Sequence, residues 1–399
     1  MHARGDEAVG DGPGVAELRT GVDDGGPDVQ LGGRSVVDLV DFDLAAQVAG
    51  RLVGPGPKLS RAEIDDVVAE LRTAAAEAAG PVASTAHLPS PVPMPPALVV
   101  DRASWAQANV DAFRALLAPV VVPHRPGSPP GRAGQAVDRA TTAVGRRTTG
   151  AELGSLIAFL SSRVLGQFDV FAGLDAPAGR VEPGRLLLVA PNVVQVERDL
   201  GVDPHDFRRW VCLHEEAHRL QFGANPWLRE HVTAEARGLS GELLAQPRDL
   251  SERLAGVLQS LPDVLRGTTE GSGIGLADLL QTPAQRERVS RLVAVMSLLE
   301  GHADVVMDDV GPQVVPSVAT IRSRFTQRRK GGGSVDQVLR RLLGLDAKTR
   351  QYADGAKFVR GVVARVGWDG LNVVWTGPEQ LPQPAEIADP AAWVSRVHG

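Results

Sequence analysis

The sequence has almost no cysteine, no excess of positive charge and no long apolar run. Cys212 is the only cysteine among 399 residues, so no disulfide can form within the chain, and this agrees with a reducing compartment. The 42 Lys and Arg residues are outnumbered by 48 Asp and Glu residues, which gives a formal net charge of -6. A general nucleic-acid-binding protein is usually basic, so we expect no nucleic-acid partner.

No apolar run in the sequence is long enough to span a membrane as a helix. The stretch from Ala115 to Val122 is among the longest and falls far short of the roughly 18 residues that a membrane-spanning helix needs. The first residues, MHARGDEAVGDGPG, hold no apolar segment behind a basic start, so we expect no secretory signal. We therefore predict a soluble, cytoplasmic protein without a membrane partner.

The composition is that of a globular protein, with 43% hydrophobic and 23% charged residues. Residues 1–34 are rich in Gly and Asp without any period, and we predict that this segment is disordered. We predict an N-terminal helical region at residues 35–135. Residues 136–399 are predicted to form the region that carries the motifs described below.

Helical periodicity dominates from about residue 42 onward. A long helix is predicted from Val137 to Leu165, in which the small residues Gly150 and Gly154 would let another helix approach closely. A further helix is predicted from Pro204 to about Phe222. Other helices are predicted at 226–243, 250–266, 283–311, 335–343 and 347–366. We therefore predict a mainly α fold with a few short strands.

The strongest motif is HEEAH, an HExxH that places His214 and His218 four residues apart. On a helix these two imidazoles lie on one face, one turn apart, and can bind the same zinc ion. Glu215 follows the first histidine and can accept a proton from the water that attacks a carbonyl. The motif therefore predicts a zinc-dependent hydrolase with Glu215 as general base.

A catalytic zinc ion usually takes three protein ligands, and the sequence offers two candidates for the third. Glu300 and Asp304 lie four residues apart on one predicted helix face, so Glu300 can bind the metal while Asp304 accepts the outer N–H of a histidine ligand. His302 is the alternative, but it lies about 200° round the helix from Glu300, so both cannot bind one ion. The carboxylate partner at Asp304 favours Glu300.

The HEEAH motif at 214–218 and the EGHAD motif at 300–304 together resemble the gluzincin pattern HExxH…ExxxD, best known from thermolysin-like proteases. The chain is also similar to a zincin-like hydrolase family of high-GC bacteria, some of whose members are labelled as associated with biosynthesis of a deazaflavin coenzyme. The similarity covers nearly the whole chain beyond about residue 40. It is carried by stretches such as FLSSRVLGQFD at 159–169, DFRRWVCLHEEAHRLQF at 206–222 and LLEGHADVVMD at 298–308.

The resemblance implies a zincin-like metalloprotease core with one Zn²⁺. It implies that His214, His218 and Glu300 bind the zinc ion. It also implies that Glu215 is the general base and that Asp304 is the aspartate beside the ligands. In zincin folds an edge strand often holds the substrate in extended form, and the apolar run from Leu186 to Val189 is our candidate for that strand.

The predicted reaction is hydrolysis of a peptide or of a small-molecule amide. The alternative is a non-catalytic zinc-binding scaffold, or a helper protein in deazaflavin coenzyme biosynthesis. Glu215 favours the enzyme, because a purely structural zinc site needs no base at that position.

Overall fold

The computed structural model describes residues 33–89, 95–123, 132–176, 184–244, 283–330 and 350–399. Most of these residues lie in α-helices, and the mainly α prediction is confirmed. The helices are α1 (Phe42–Leu52), α2 (Arg61–Thr85), α3 (Arg102–Leu117), α4 (Arg132–Ser161), α5 (Ala190–Leu200), α6 (Pro204–Ala224), α7 (Pro226–Leu244), α8 (Pro283–Val310), α9 (Val318–Lys330), α10 (Arg350–Leu371) and α11 (Pro390–His398). Short 3-10 helices lie at Val36–Asp38, Asn372–Trp375 and Pro378–Gln380.

The strands of the described ranges form two small sheets. One sheet pairs β1 (Gly33–Ser35) with β3 (Val121–Pro123) in antiparallel fashion. The other has the order β2-β5-β4, in which β5 (Arg185–Val189) pairs in parallel with β2 (Leu98–Val100) and antiparallel with β4 (Gly166–Asp169).

The predicted strand at Leu186–Val189 is confirmed as part of β5, but its predicted role as a substrate-holding edge is wrong. β5 is the central strand of its sheet, and each of these four residues is at most 2% exposed. Its main-chain groups therefore pair with β2 on one side and β4 on the other. A continuous apolar run is typical of a strand that is covered on both faces, whereas an edge strand often alternates. Among the described residues, the edges of this sheet are β2 and β4.

α1 and α4 pack closely at two glycines of α4, as predicted. A Cβ atom added at Gly150 would lie 2.3 Å from the carbonyl oxygen of Asp41, and one added at Gly154 would lie 2.4 Å from that of Ala45. No side chain fits there, so the small residues set the distance between the helices. α4 begins and ends a few residues earlier than predicted.

α6 lies in the main hydrophobic core, where its apolar face contacts α2 and α8. The Asp203 carboxylate caps its first turn by accepting from the Asp206 N–H, and Pro204 stands at the first position. The buried residues of this helix include Phe207, Val211 and Leu213. The helix that carries the HExxH motif is therefore held rigidly by packing along most of its length.

α8 and α10 cross at two glycines. A Cβ atom added at Gly301 would lie 2.2 Å from the carbonyl carbon of Gly355, and one added at Gly355 would lie 2.0 Å from the carbonyl oxygen of Ser297. The two backbones therefore touch at this crossing. Because Gly301 follows Glu300 directly, the crossing fixes α8 at the position that presents Glu300.

The remaining element predictions have mixed outcomes. The helices predicted at 226–243 and 283–311 are confirmed as α7 and α8, and the one at 347–366 corresponds to α10. The helices predicted at 250–266 and 335–343 lie outside the described residues. So do residues 1–32 of the segment 1–34 that was predicted to be disordered, whereas Gly33 and Arg34 belong to β1. The division of the chain at residue 135 stays a prediction. Within the described ranges, no helix has the length and apolar character needed to cross a membrane.

Candidate metal centre

α6 presents His214 and His218 one helical turn apart, as the sequence predicts. Their Nε2 atoms lie 3.2 Å apart, and the two rings are nearly perpendicular with centroids separated by 4.8 Å. Both side chains are partly buried, with exposed fractions of 24% and 13%. The two nitrogens that could bind a metal ion therefore point to one place.

Glu300, from α8, completes this group. Its Oε2 lies 3.5 Å from Nε2 of His214, and its Oε1 lies 3.6 Å from Nε2 of His218. In a tetrahedral zinc site with bonds of about 2.0–2.2 Å, ligand atoms lie about 3.3–3.5 Å apart. Two imidazoles and one carboxylate at this spacing are the donor set of a catalytic zinc site with one open position, so the residues present fit the ion.

The two histidines differ in their pKa values. Burial opposes protonation of His214, but the hydrogen bond and negative charge of Glu300 outweigh it and raise the pKa of His214 to about 9. Burial lowers the pKa of His218, and the neighbouring His214 adds to this effect against the charge of Glu300. The carboxylate thus supplies the negative charge that balances a cation at this position.

Glu215 is buried beside the three converging side chains but is not one of them. Burial raises the pKa of Glu215 to about 7, while the charge of His214 opposes this effect and that of Glu300 adds to it. A Cβ atom added at Gly166 would lie 2.6 Å from Cδ of Glu215, so β4 begins directly against this carboxylate. Gly166 was not predicted to be part of the site, because nothing in its local sequence pattern indicates contact with α6.

Gln221 links His218 to the helix α8. Its amide oxygen lies 3.0 Å from Nδ1 of His218, and its Nε2 donates to the carbonyl oxygen of Leu299 at 2.9 Å and to Nδ1 of His302 at 3.0 Å. Because the amide oxygen can only accept, Nδ1 of His218 carries the proton and its Nε2 keeps a lone pair on the side of Glu300. Gln221 was not predicted from the sequence, although its position three residues after His218, on the same helix face, indicates that the two side chains can meet.

His302 does not join the converging group. It is fully buried, and its ring packs edge-on against Trp368 and Trp375 at centroid distances of 5.7 and 5.2 Å. Burial lowers the pKa of His302 to about 3, and the nearby His218 adds to this effect. Of the two candidates for the third ligand, the fold therefore brings Glu300 to the histidines and leaves His302 neutral, in contact with Gln221.

Asp304 lies one turn after Glu300 but does not bond to a histidine ring in the described part of the chain. Its carboxylate lies 3.7 Å from Nη2 of Arg322, and its charge raises the pKa of both His214 and His218. The contact predicted between Asp304 and an imidazole is thus not formed, and Gln221 occupies that position at His218. The role of Asp304 beside the ligands stays a prediction.

Cys212, two residues before the motif, points away from it. The residue is fully buried, and its sulfur lies 3.8 Å from the carbonyl oxygen of Leu71 on α2. Burial raises the pKa of its thiol, so the group stays protonated and behaves as a small apolar side chain.

Comparison with known proteins places this geometry in a family. The family model described as "Zincin-like metallopeptidase" matches residues 40–394. A crystal structure from Chloroflexus aurantiacus, described as "a putative hydrolase with a novel fold", is similar with a TM-score of 0.59 and 30% identity, covering 90% of this chain and 99% of that one. No curated protein matches the sequence significantly. Because the family model spans most of the sequence and includes both motifs, the chain belongs to the zincin-like metallopeptidase family.

Proposed function

We propose that the protein is a zinc-dependent hydrolase of peptide bonds, in which His214, His218 and Glu300 bind the ion and Glu215 is the general base. The observation that carries this proposal is the convergence of two Nε2 atoms and one carboxylate at 3.2–3.6 Å. Glu215 is buried beside them and is left out of the ligand set. A site that served only to stabilise the fold would not need a second carboxylate there.

Zinc in such a site polarises a carbonyl group and lowers the pKa of water. Gln221 holds His218 in the tautomer whose Nε2 can bind the ion. Glu215 accepts the proton of the attacking water and donates it to the leaving amine nitrogen, which balances the hydrolysis of an amide to an acid and an amine. Gly166 leaves the space that the Glu215 carboxylate occupies.

The position of β4 favours an extended peptide over a compact amide as substrate. β4 is one of the two outer strands of the sheet β2-β5-β4, and its first residue, Gly166, touches Glu215. An extended peptide could pair with the edge of β4 that has no partner strand among the described residues, and would then pass Glu215. β4 replaces Leu186–Val189 as our candidate for the substrate strand.

Metal analysis tests the first half of the proposal. Protein purified without chelator is expected to hold about one zinc ion per chain, by the three-ligand rule. His214→Ala and His218→Ala should each abolish tight binding, whereas His205→Ala, at an exposed histidine that contacts Glu70, should not. Full zinc content in both ligand variants would refute the assignment.

Digestion of a peptide library by the same protein tests the second half. Cleavage should stop with a chelator and return with added zinc. Glu215→Gln keeps a polar side chain of the same size but removes the base, so it should retain zinc and lower the rate by about 10²-fold or more. The matched variant Glu77→Gln, at an exposed glutamate paired with Arg209, should cleave at the normal rate. Full activity of Glu215→Gln would contradict the hydrolase mechanism.

The alternative of a zinc-binding scaffold predicts a different outcome. A scaffold would bind the same amount of zinc as an enzyme, but it would cleave no peptide of the library. Neither the chelator nor Glu215→Gln would then have a measurable effect on cleavage. The association with deazaflavin coenzyme biosynthesis remains a prediction from resemblance alone.

A further inference from the structure

Two helices begin side by side at the carboxyl ends of two parallel strands. β2 and β5 pair in parallel, with Val100 opposite Val189. α3 begins two residues after the end of β2, and α5 begins directly after the end of β5. Each helix N-terminus carries free N–H groups and a partial positive charge, and ligands of open α/β sheets often bind at this end of parallel strands. The α3 terminus is capped by Asp101, whereas the α5 terminus has no side-chain cap.

Arg102 and Arg163 are fixed next to these termini by uncharged groups. Nε of Arg102 donates to Oδ1 of Asn192, in the first turn of α5, at 2.6 Å. Asn192 in turn donates from Nδ2 to the carbonyl oxygens of Ser161 and Val164 at 2.8 and 2.6 Å, which flank Arg163 in sequence.

Arg163 is held by its own loop. Its Nη1 donates to Oγ of Ser162 at 3.0 Å, and its guanidinium carbon lies 3.8 Å from the centre of the Phe159 ring. These contacts use only Nη1 and one face of the guanidinium. Nη2 of Arg102, and Nε and Nη2 of Arg163, have no hydrogen-bond partner in the described part of the chain.

The two guanidinium groups lack a negative partner among the described residues. Burial lowers the pKa of Arg102 and of Arg163, and the charge of Arg102 lowers that of Arg163 further. Arginine nevertheless keeps its charge at neutral pH. Other partly buried arginines of this chain do meet carboxylates: Arg208 bonds to Glu197, Arg185 to Asp169 and Arg396 to Glu386.

In the loop between α1 and α2, two glycines lie against Arg102. The carbonyl oxygen of Gly54 lies 3.4 Å from Nη1 of Arg102. Gly56 has a φ of 85°, and a Cβ atom added there would lie 2.7 Å from Cβ of Pro191, at the start of α5, and 3.6 Å from Cζ of Arg102. Side chains are thus absent where the loop approaches the arginine and the helix terminus.

We propose that Arg102 and Arg163, with the N-terminus of α5, form a binding site for a phosphate group that is distinct from the metal ligands. A phosphate dianion matches the two positive charges, and its oxygens match the paired N–H groups of guanidinium. The observation that carries this proposal is a pair of neighbouring, immobilised arginines without an acidic partner, beside a helix terminus without a side-chain cap. The phosphate is either inorganic or part of a small organic ligand.

Calorimetric titration of the full chain with inorganic phosphate tests the proposal, with sodium chloride used to hold the ionic strength constant. We expect saturable binding at one site per chain. Arg102→Gln and Arg163→Gln should each weaken it about tenfold or more, as expected for loss of charged hydrogen bonds. The matched variant Arg61→Gln, at an exposed arginine paired with Asp65, should bind normally. The His214→Ala variant should also bind normally, which separates this site from the metal centre.

Two further ligands identify the chemistry. Phenyl phosphate that binds at least as well as inorganic phosphate would assign the site to organic phosphates, whereas weaker binding would assign it to the free ion. Acetate that binds as tightly as phosphate would overturn the choice of phosphate. The absence of phosphate binding by the unmodified chain would overturn the proposal whatever the variants do. So would unchanged affinity in both arginine variants, once circular dichroism shows that they are folded.

Discussion

At His218, the amide of Gln221 decides which ring nitrogen carries the proton. The amide oxygen accepts from Nδ1, and the amide nitrogen is committed to Leu299 and His302, so the amide cannot turn over without losing both of these bonds. Groups that orient a metal-bound histidine in this way contribute to metal affinity. His302 thus has a role in the site even though it is not placed as a ligand.

Gln221→Leu is expected to lower zinc affinity by about 10–100-fold, because the ring of His218 would lose the contact that fixes its tautomer. The measurement is a competition titration with a zinc-binding dye. Gln107→Leu is the matched control, since Gln107 is exposed and its side chain donates to Asp111 on its own helix. Equal affinity in Gln221→Leu and the unmodified protein would show that Gln221 has no orienting role.

Gly166→Ala is expected to lower the rate of hydrolysis by about 10²-fold while leaving zinc content unchanged. The new methyl group would lie 2.6 Å from Cδ of Glu215 and displace the carboxylate, whereas the ligand set includes no atom of β4. A displacement of about 1 Å at a catalytic group can cost about 10²-fold in rate. Rate and zinc content are measured on one preparation. Gly50→Ala is the control, because an added Cβ there has no atom within 4 Å. A Gly166→Ala variant with normal rate would contradict the close placement of Glu215.

Within the site, the residues predictable from sequence are those whose relation is local. His214, Glu215 and His218 follow from the geometry of one helix. Helix geometry also excludes that Glu300 and His302 both bind one ion, and it was the carboxylate at Asp304, one turn after Glu300, that favoured Glu300. Gly166 could not be found in this way, since its contact with Glu215 depends on how β4 packs against α6. The predicted bond of Asp304 to a histidine is likewise not formed in the described part of the chain, where this carboxylate lies 3.7 Å from Nη2 of Arg322 on α9.

At the scale of elements, the positions of helices could be predicted from local sequence, whereas the places of strands within a sheet could not. Helix formation is encoded within each segment, and α6, α7 and α8 begin within one or two residues of their predicted starts. The position of a strand in a sheet depends on segments elsewhere in the chain. β5 was recognised as a strand, but its central place follows from pairing with β2, more than eighty residues earlier, and with β4.

A pair of charges between Arg396 on α11 and Glu386 in the preceding segment gives a pH-dependent prediction. Arg396 donates from Nε and Nη2 to the two oxygens of Glu386, at 2.7 and 2.8 Å, and also to the carbonyl oxygens of Glu379 and Leu381. Burial opposes ionisation of Glu386, but its hydrogen bonds with Arg396 and with the Gln383 N–H outweigh burial and lower its pKa. The ionised carboxylate therefore stabilises the folded state above the pKa of an unfolded glutamate, about 4.3, and this stabilisation is lost as pH falls through the lower pKa of the folded state.

Glu386→Gln is accordingly expected to lower the free energy of unfolding at pH 7 by about 2 kcal/mol, the range for charged hydrogen bonds, and by less at pH 3. Urea unfolding at pH 7, 5 and 3 measures this difference. Glu287→Gln removes an exposed ion pair with Arg291 and should change stability by no more than about 0.5 kcal/mol at any of these pH values. An effect of Glu386→Gln that is the same at pH 7 and pH 3 would exclude the ionised carboxylate as its cause.

For the molecule as a whole, the proposed zinc ligands connect helices that are far apart in sequence. His214 and His218 lie on α6, and Glu300 lies on α8, 82 residues after His218. The two helices pack against each other in the main core, and the crossing of α8 with α10 at Gly301 fixes the second of them. Zinc bound by all three side chains would therefore stabilise the packed arrangement over an unfolded chain.

Removal of zinc is expected to lower the melting temperature of the whole protein. A ligand present at about 100 times its Kd stabilises the folded state by about 2.7 kcal/mol, and in a chain of this size each kcal/mol shifts the melting temperature by about 2 °C or more. Chelation should thus lower it by about 5 °C, and added zinc, but not magnesium, should restore it. The His218→Ala variant should melt at one temperature with or without chelator, since its ligand set is incomplete. If the unmodified protein responds to neither chelator nor zinc, the three side chains do not hold a metal ion that links α6 to α8.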